Sequence, residues 1–189
     1  MDLYSFVYRG ILANESIRNA LPTQAGDPRE LDEDIQRRMP LELLDDNLVL
    51  GARKMATVYV AVAAFENGVR TFIEERLLEK VGANWWDTAI SNDIKNRADT
   101  RRKDEEAIRW HGSRGSSALA YVELGDLGVI IQNNHAAFKD LVPTVEWARE
   151  IFRSLERSRN VVMHSGQLKM ADIERVGMNI RDWIRQVGG

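Results

Sequence analysis

The longest regular pattern in the chain is the spacing of apolar residues over 42–80. They recur at steps of three and four residues, which is the spacing of the buried face of an α-helix. Charged residues such as Arg53 and Glu74 fall on the opposite side. A helix of this length would measure on the order of 50 Å, which favours a helical bundle over a small α/β domain. The apolar positions are Leu48, Met55, Val58, Val62, Phe65, Val69, Phe72, Ile73 and Leu77.

Shorter helical patterns lie on both sides of this long helix. Only four prolines occur in the chain, so long tracts can remain helical. We therefore predict an all-α fold, an up-and-down helical bundle. The shorter helices are predicted over 3–20, over 29–38 before Pro40, from Gly125-Asp126 onward, from Pro143 onward and over about 171–187.

The division of the chain follows from its loops. Residues 21–28 contain two prolines and a glycine and are typical of a loop. We predict an N-terminal helical arm over 1–40 and a helical bundle domain over 41–189. Gly82 is a plausible residue to end the long helix. The charged stretch 91–118 has little periodicity, and we interpret it as a solvated linker, a mobile excursion or a basic loop that faces the substrate.

The composition is that of a soluble globular protein, with 44% hydrophobic and 29% charged residues in 189. The absence of cysteine excludes disulfides, cysteine nucleophiles and cysteine metal ligands. No run approaches the roughly 20 apolar residues that span a bilayer, and the N-terminus does not resemble a signal peptide. We expect a cytoplasmic protein with no membrane segment.

The charge narrows the expected partners. A net charge of −3 argues against sequence-blind coating of nucleic acid. Residues 149–185 are nevertheless locally basic, with eight basic and five acidic residues. Arginine outnumbers lysine by twenty to six, which suits phosphate recognition and equally suits surface ion pairs.

The chemistry-bearing stretch lies at 159–166, where Arg159, Asn160 and His164 occur within six residues. Histidine can both accept and donate a proton near neutral pH, and arginine offers phosphate a planar set of donors. On an ideal helix Asn160 and His164 share a face, whereas Arg159 lies about 140° around the axis from His164. The arginine must therefore curl around, the helix must break there, or the partner residues must come from a second chain.

These residues also allow plainer readings. A histidine at a helix end can cap carbonyl groups beside a solvated arginine. Glu66, Asn67 and Arg70 sit beside the apolar stripe of the long helix. They are either polar residues that flank the buried face or members of a polar cleft shared with the motif.

The string Ser158-Arg159-Asn160-Val161-Val162-Met163-His164-Ser165 resembles the Arg-Asn-x3-His signature of HEPN domains. Three further features share the resemblance: Val62–Leu78 with its Phe65-Glu66-Asn67 and Arg70, the pair Trp85-Trp86, and Leu124-Gly125-Asp126-Leu127 before Ile130-Ile131. They are similar to the HEPN branch first described in a nuclear-pore-associated RNA endonuclease and widespread in bacteria. The resemblance covers roughly residues 41–187.

The resemblance implies a bundle that pairs into a homodimer and brings two Arg-x4-His motifs to one cleft. Many members are metal-independent endoribonucleases of toxin–antitoxin, phage-defence or RNA-processing systems, while others only bind. By matching position, Arg159 and His164 would be the catalytic pair and Asn160 the polar residue that orients the motif. Apart from the resemblance, we predict that Glu66 or Arg70, which project from the long helix, border the motif and support it through hydrogen bonds. Toxins that are silenced by nucleotide addition carry a tyrosine two residues after the histidine. Gly166 stands there in this chain, which puts such control in doubt.

The leading hypothesis is therefore cleavage of single-stranded RNA without cofactor or metal. His164 would deprotonate the ribose 2′-OH or protonate the leaving 5′-oxygen, and Arg159 would stabilise the phosphorane. An antitoxin or defence-system protein is a possible partner. One alternative is a non-catalytic HEPN module that dimerises or binds RNA or a partner. Another is a helical regulatory protein in which Arg159 and His164 form a polar seam. DNA fits poorly because deoxyribose lacks the internal nucleophile.

Overall fold

The structure is a computed structural model that describes residues 28–108 and 110–188. The chain divides into two compact units between Val49 and Leu50. The helix predicted over 3–20, and residues 21–27 of the loop after it, lie outside the described residues. The predicted division into an arm and a bundle domain at residue 40 stays a prediction.

The described part of the first unit begins with helix α1 (Pro28–Arg38) and a 3-10 turn (Leu41–Leu43). The end of α1 before Pro40 agrees with the sequence, since the residue before a proline disfavours helix. Helix α2 (Asp46–Val81) begins in this unit. Its start is fixed by Asp45, whose carboxylate accepts hydrogen bonds from the backbone N–H groups of Asn47 and Leu48 at 2.9 and 3.2 Å.

The second unit, from Leu50 onward, is an all-α helical bundle, as the sequence predicts. The residues described in it contain no β-strand. Helix α2 is followed by α3 (Trp85–Ala89), α4 (Asn92–Glu106), a 3-10 turn (Ala118–Tyr121), α5 (Leu124–Asn133), α6 (His135–Phe138), α7 (Val145–Met163) and α8 (Met170–Val187).

The end of α2 confirms the role predicted for Gly82. Its φ is +97°, in the region that favours glycine. Its N–H donates to the carbonyls of Leu77 and Leu78 at 3.3 and 3.0 Å. These bonds satisfy carbonyl groups that would otherwise lack a partner at the helix end.

The core of the bundle is aromatic where α2, α7 and α8 meet. The rings of Phe152 and Trp183 lie 4.9 Å apart, and both contact Phe65, each at 6.0 Å between centroids. Trp147 stacks on the other side of Trp183 at 5.7 Å. Because this packing fixes α7 against α2, the polar side chains of the two helices lie beside each other at the edge of the core.

The interpretation of the whole stretch 91–118 as irregular chain is wrong for residues 92–106, which form α4. Most of this helix is charged, and Ile94 and Ala98 are its buried residues. Two apolar positions are too few to produce a visible stripe. The helix is held instead by tertiary contacts, including Arg97 with Asp126 at 2.7 Å and Arg101 with the carbonyl of Tyr121 at 3.0 Å.

By length and composition, one helix in the described ranges, α2, could cross a membrane. Core helices of soluble proteins pass the same test, and 28% of its apolar segment is buried in the structure. Arg53 and Lys54 interrupt the apolar residues of this helix. Its mean hydropathy is therefore high enough for a membrane span although it contains no unbroken apolar run of that length. A membrane location does not follow, and the cytoplasmic location stays a prediction.

Candidate functional site

The end of α7 is a tight helix stop that begins at His164. Ser165 has a φ of +60°, and its N–H donates to the carbonyl of Val162 at 3.1 Å. The N–H of Gly166 donates to the carbonyl of Val161 at 2.8 Å. This pair of bonds is a Schellman motif. It accepts only glycine at 166 without rearrangement, because a Cβ there would lie 2.8 Å from the Val161 carbonyl oxygen.

The helix therefore breaks at the histidine, which was one of the three ways to accommodate the motif's spacing. Asn160 and His164 keep helical register, since the His164 N–H donates to the Asn160 carbonyl at 3.1 Å. Both residues are exposed. Within the described part of the chain, the His164 side chain makes no hydrogen bond and no ion pair. The structure thus presents the imidazole to solvent at the helix end.

Arg159 points in a different direction, towards α2. Its Nε lies 3.5 Å from Oε2 of Glu66, and 33% of its side chain remains exposed. The Glu66 side chain is buried, with 8% exposed. Its other oxygen, Oε1, accepts from Nη2 of Arg70 at 2.5 Å. A buried carboxylate needs such partners because an unpaired buried charge is strongly destabilising, so Glu66 holds both guanidinium groups in place.

Arg70 makes four hydrogen bonds, one of them to Glu66. It donates through Nε to the Leu119 carbonyl and through Nη2 to the Val122 carbonyl, both at 2.9 Å. Nη1 donates to Oδ1 of Asn67 at 3.0 Å. Arg70 therefore attaches the 3-10 turn and the residue after it to α2, and it reaches Arg159 only through Glu66. Of the two readings of these polar residues, the structure places them in a cleft shared with Arg159.

This cleft is an open cavity of about 290 Å³. Three arginines and one glutamate line it, beside an apolar wall. Arginine and amide groups are hydrogen-bond donors, so the cavity suits an anion better than a cation. Asn160 and His164 do not line it. The lining residues are Tyr59, Val62, Ala63, Glu66, Asn67, Arg70, Arg114, Ala120, Arg159 and Met163.

Arg114 is the charged residue of this cavity that the sequence analysis did not single out. Its Nε lies 2.6 Å from Oε1 of Glu105, at the end of α4, and 49% of its side chain is exposed. It belongs to an irregular segment, where periodicity gives no information about direction. The interpretation of 91–118 as a basic loop that faces the substrate is the one that could have pointed to Arg114.

The described ranges contain no group of three or more histidine, cysteine, aspartate or glutamate side chains placed to hold a metal ion. The polar groups that the structure does gather at the cleft are cations and one carboxylate that is already paired with two of them. Such an arrangement can bind a phosphate and stabilise added negative charge on it.

Comparison with known proteins adds one finding. A family model described as Swt1-like HEPN matches residues 61–188, a range that contains Glu66, Arg70, Arg114 and the whole of the motif from Arg159 to His164. No curated protein and no solved structure matches the chain.

Proposed function

This chain belongs to the Swt1-like HEPN family, and from that premise we propose that it is a metal-independent endoribonuclease. Membership in the family favours a ribonuclease or an RNA-binding module. The observation that carries the finer proposal is the placement of Arg159. A buried glutamate fixes this arginine at the mouth of an arginine-lined cleft, five residues before a solvent-exposed histidine.

The proposed reaction uses a nucleophile that the substrate itself supplies. The ribose 2′-OH lies next to the phosphate that it attacks, so the enzyme needs proton transfer and charge stabilisation rather than a metal-activated water. The 2′-oxygen forms a bond to phosphorus while the bond from phosphorus to the 5′-oxygen breaks. The products are a 2′,3′-cyclic phosphate and a 5′-hydroxyl.

Each group in the motif has one task in this proposal. His164 accepts the proton of the 2′-OH or donates a proton to the leaving 5′-oxygen. Arg159 contacts the phosphate oxygens, where a planar guanidinium can make two hydrogen bonds to the developing phosphorane. Asn160 fixes the histidine or a phosphate oxygen. Glu66 positions Arg159 and does not touch the substrate.

A second copy of the chain completes the proposed site. Within one chain, Arg159 lines the cleft and His164 does not. A symmetric dimer would bring the motifs of two chains to one cleft, where one histidine can act as the base and the other as the acid. The toxin, phage-defence or RNA-processing setting and an antitoxin partner are proposed from the family alone.

The experiment is cleavage of total RNA and of a single-stranded oligonucleotide by the purified protein in EDTA. Removal of a general acid–base typically costs about 10²–10⁴-fold in rate, so His164→Ala should lose visible activity. Arg159→Ala should lose it too, and Arg159→Lys should not restore it fully. The matched control is Arg157→Ala, since Arg157 is an exposed arginine on the same helix that does not line the cleft.

Two outcomes would overturn the proposal. Activity that disappears in EDTA and returns with magnesium would contradict the mechanism even if RNA is the substrate. RNA binding without any cleavage by the wild-type protein would favour the non-catalytic module. One observation favours that alternative: the His164 side chain is solvent-exposed and, in the described part of the chain, has no side-chain partner that would orient it.

A further inference from the structure

Trp110 is the most exposed large hydrophobic residue in the described part of the chain, with 86% of its surface accessible. Tryptophan is normally well buried on average. Trp85 and Trp183 lie in the core, and Trp86 and Trp147 pack against it. An almost fully exposed tryptophan is uncommon, and tryptophan is enriched where proteins contact a partner or ligand.

Trp110 begins a segment that we name the tryptophan loop, residues 110–117. The far end of this loop is fixed to its surroundings. Both the backbone N–H and the Nε of Arg114 contact the carboxylate of Glu105, at 3.0 and 2.6 Å. The hydroxyl of Tyr121 donates to the carbonyl of Gly115 at 3.2 Å. The exposed ring of Trp110 therefore belongs to a loop whose residues Arg114 and Gly115 are held by contacts with the rest of the bundle.

Among the described residues, His111 is the aromatic neighbour of the Trp110 ring. The imidazole of His111 lies at 5.6 Å from the indole, nearly perpendicular to it. Nδ1 of His111 lies 2.9 Å from the carbonyl of Gly112, so the ring is held by its own backbone. This packing restrains the indole without covering most of its surface.

The tryptophan loop leads directly to the cleft. Arg114, four residues after Trp110, lines the cavity that contains Arg159. Four residues span at most about 14 Å between Cα atoms, so the backbone of Trp110 lies within that distance of the backbone of Arg114. A single strand of nucleic acid that places a phosphate at Arg114 would have bases of nearby nucleotides within reach of Trp110.

We propose that the tryptophan loop binds single-stranded RNA, with Trp110 stacking on an unpaired base and Arg114 contacting an adjacent phosphate. This inference rests on the proposed function, because it names how the same cleft receives its substrate. An aromatic ring beside a cation is the usual way in which proteins hold single strands, since every base has a face on which to stack. The loop contains no acidic residue to repel phosphate.

The composition of the loop favours RNA over a protein partner. Residues 110–117 contain no aliphatic side chain, and glycines and serines follow His111. A protein interface surrounds its aromatic anchors with further apolar and well-packed residues. A single indole among mostly small polar residues lacks that surround, and its exposed surface is accessible to a base that stacks on it.

The first test measures binding in the His164→Ala background, so that RNA is not consumed. Fluorescence anisotropy would follow a labelled single-stranded RNA, with a duplex of the same sequence in parallel. Stacking on one base is worth about 5- to 150-fold in affinity by alanine substitution, and Trp110→Ala should weaken single-strand binding by that factor. Trp110→Phe should recover most of it. Met178→Ala, which also removes an exposed hydrophobic side chain, is the matched control and should bind normally.

The second test concerns the phosphate contact. For single strands, the salt dependence of binding falls by about 0.7 in slope for each phosphate contact that is lost. Arg114→Ala should reduce the slope by that amount. Arg97→Ala should not change the slope, although the Arg97 side chain is 48% exposed against 49% for Arg114 and has a similar acidic partner in Asp126.

These readouts separate the inference from the function on which it rests. Equal affinities of Trp110→Ala and Met178→Ala for single strands would overturn the inference while leaving any observed cleavage intact. Binding that depends on Trp110, together with a wild type that never cleaves, would sustain the inference and overturn the nuclease proposal. The inference would also be overturned if the His164→Ala protein did not bind RNA at all. It would be overturned equally if Trp110→Ala lost binding to a protein partner but kept its affinity for RNA.

Discussion

Glu66 is the residue on which the position of Arg159 depends. Its two carboxylate oxygens contact different arginines, Arg70 at 2.5 Å and Arg159 at 3.5 Å. Arg70 is additionally fixed by two backbone carbonyls. The position of Arg159 therefore relies on its ion pair with the buried Glu66. Glu66 is held in turn by Arg70, which donates hydrogen bonds to the backbone carbonyls of Leu119 and Val122.

Substitution of Glu66 by glutamine should impair catalysis more than folding. Glu66→Gln keeps the shape but removes the charge, which should lower the free energy of unfolding by about 1–2 kcal/mol. Loss of the arginine's orientation should lower the rate of cleavage of bound RNA by about 10–100-fold. Urea denaturation and single-turnover kinetics would measure the two effects.

The matched control for that substitution is Glu150→Gln, because Glu150 is exposed and forms only a long ion pair with Arg153 at 3.8 Å. Wild-type single-turnover rates in Glu66→Gln would show that Glu66 does not position Arg159. A loss of stability without a loss of rate would leave Glu66 with a purely structural role.

Three of the four charged residues of the cleft, Glu66, Arg70 and Arg159, could be singled out from the sequence, and the fourth, Arg114, could not. Glu66 and Arg70 could be proposed because they flank a strong apolar stripe, and a helix fixes the direction of every side chain along it. Arg114 could not, because its place in the cleft results from contacts with Glu105 across an irregular segment. The directions of the Arg159 and His164 side chains could not be predicted from the sequence either, because the helix ends at Met163 and does not continue through His164.

At the scale of the helices, the end of α7 determines where His164 lies. Helix α7 ends at Met163, and the stop depends on Gly166, where a Cβ would meet the side chain and carbonyl of Val161 at 2.7 and 2.8 Å. The glycine that makes control by nucleotide addition doubtful thus has a structural task of its own. It fixes the place where His164 leaves the helix.

We expect Gly166→Ala to open this helix stop. The added Cβ must displace Val161 or the turn, so the free energy of unfolding should fall by about 1–3 kcal/mol and RNA cleavage should fall with it. Gly68→Ala is the control, because a Cβ at that exposed helical position meets nothing within 4 Å. It should gain about 0.5–1 kcal/mol from the better helix propensity of alanine. Unchanged stability and cleavage in Gly166→Ala would contradict this account of the helix end.

The long helices with a wide apolar face could be predicted from the sequence, whereas the charged helix α4 and the short helices α3 and α6 could not. Helix α2 ends within one residue of the predicted 42–80 and begins at Asp46, where Asp45 supplies the N-cap. The pattern of helix α4 resembles irregular chain because charge covers the helix and Ile94 and Ala98 are its buried residues. Tertiary contacts such as Arg97 with Asp126 decide its place, and they are invisible to local pattern.

At the scale of the whole molecule, the proposed mechanism includes a second copy of the chain. One chain exposes His164 outside the cleft that Arg159 lines, and we propose that the partner subunit completes a site that uses both residues. We expect a symmetric homodimer, and light scattering at micromolar concentration should give twice the 21.6 kDa of one chain. A monomer under those conditions, with full cleavage activity, would show that one chain suffices.

The fold class follows from the sequence at this scale because one long amphipathic helix and few prolines leave little choice but a helical bundle. The pairing of chains does not follow from the helical pattern. It rests on the family resemblance and on the separation of Arg159 from His164.

The most direct test of attack by the ribose 2′-OH replaces that hydroxyl group with hydrogen at one position of the substrate. A single-stranded RNA with one 2′-deoxynucleotide at its main cleavage site would be incubated with the protein in EDTA, beside the unmodified strand. The proposed mechanism predicts that the unmodified strand gives a 2′,3′-cyclic phosphate and a 5′-hydroxyl. It also predicts that the modified strand is not cut at the deoxy position. Continued cleavage at the deoxy position, or a product with a 5′-phosphate, would contradict attack by the 2′-OH.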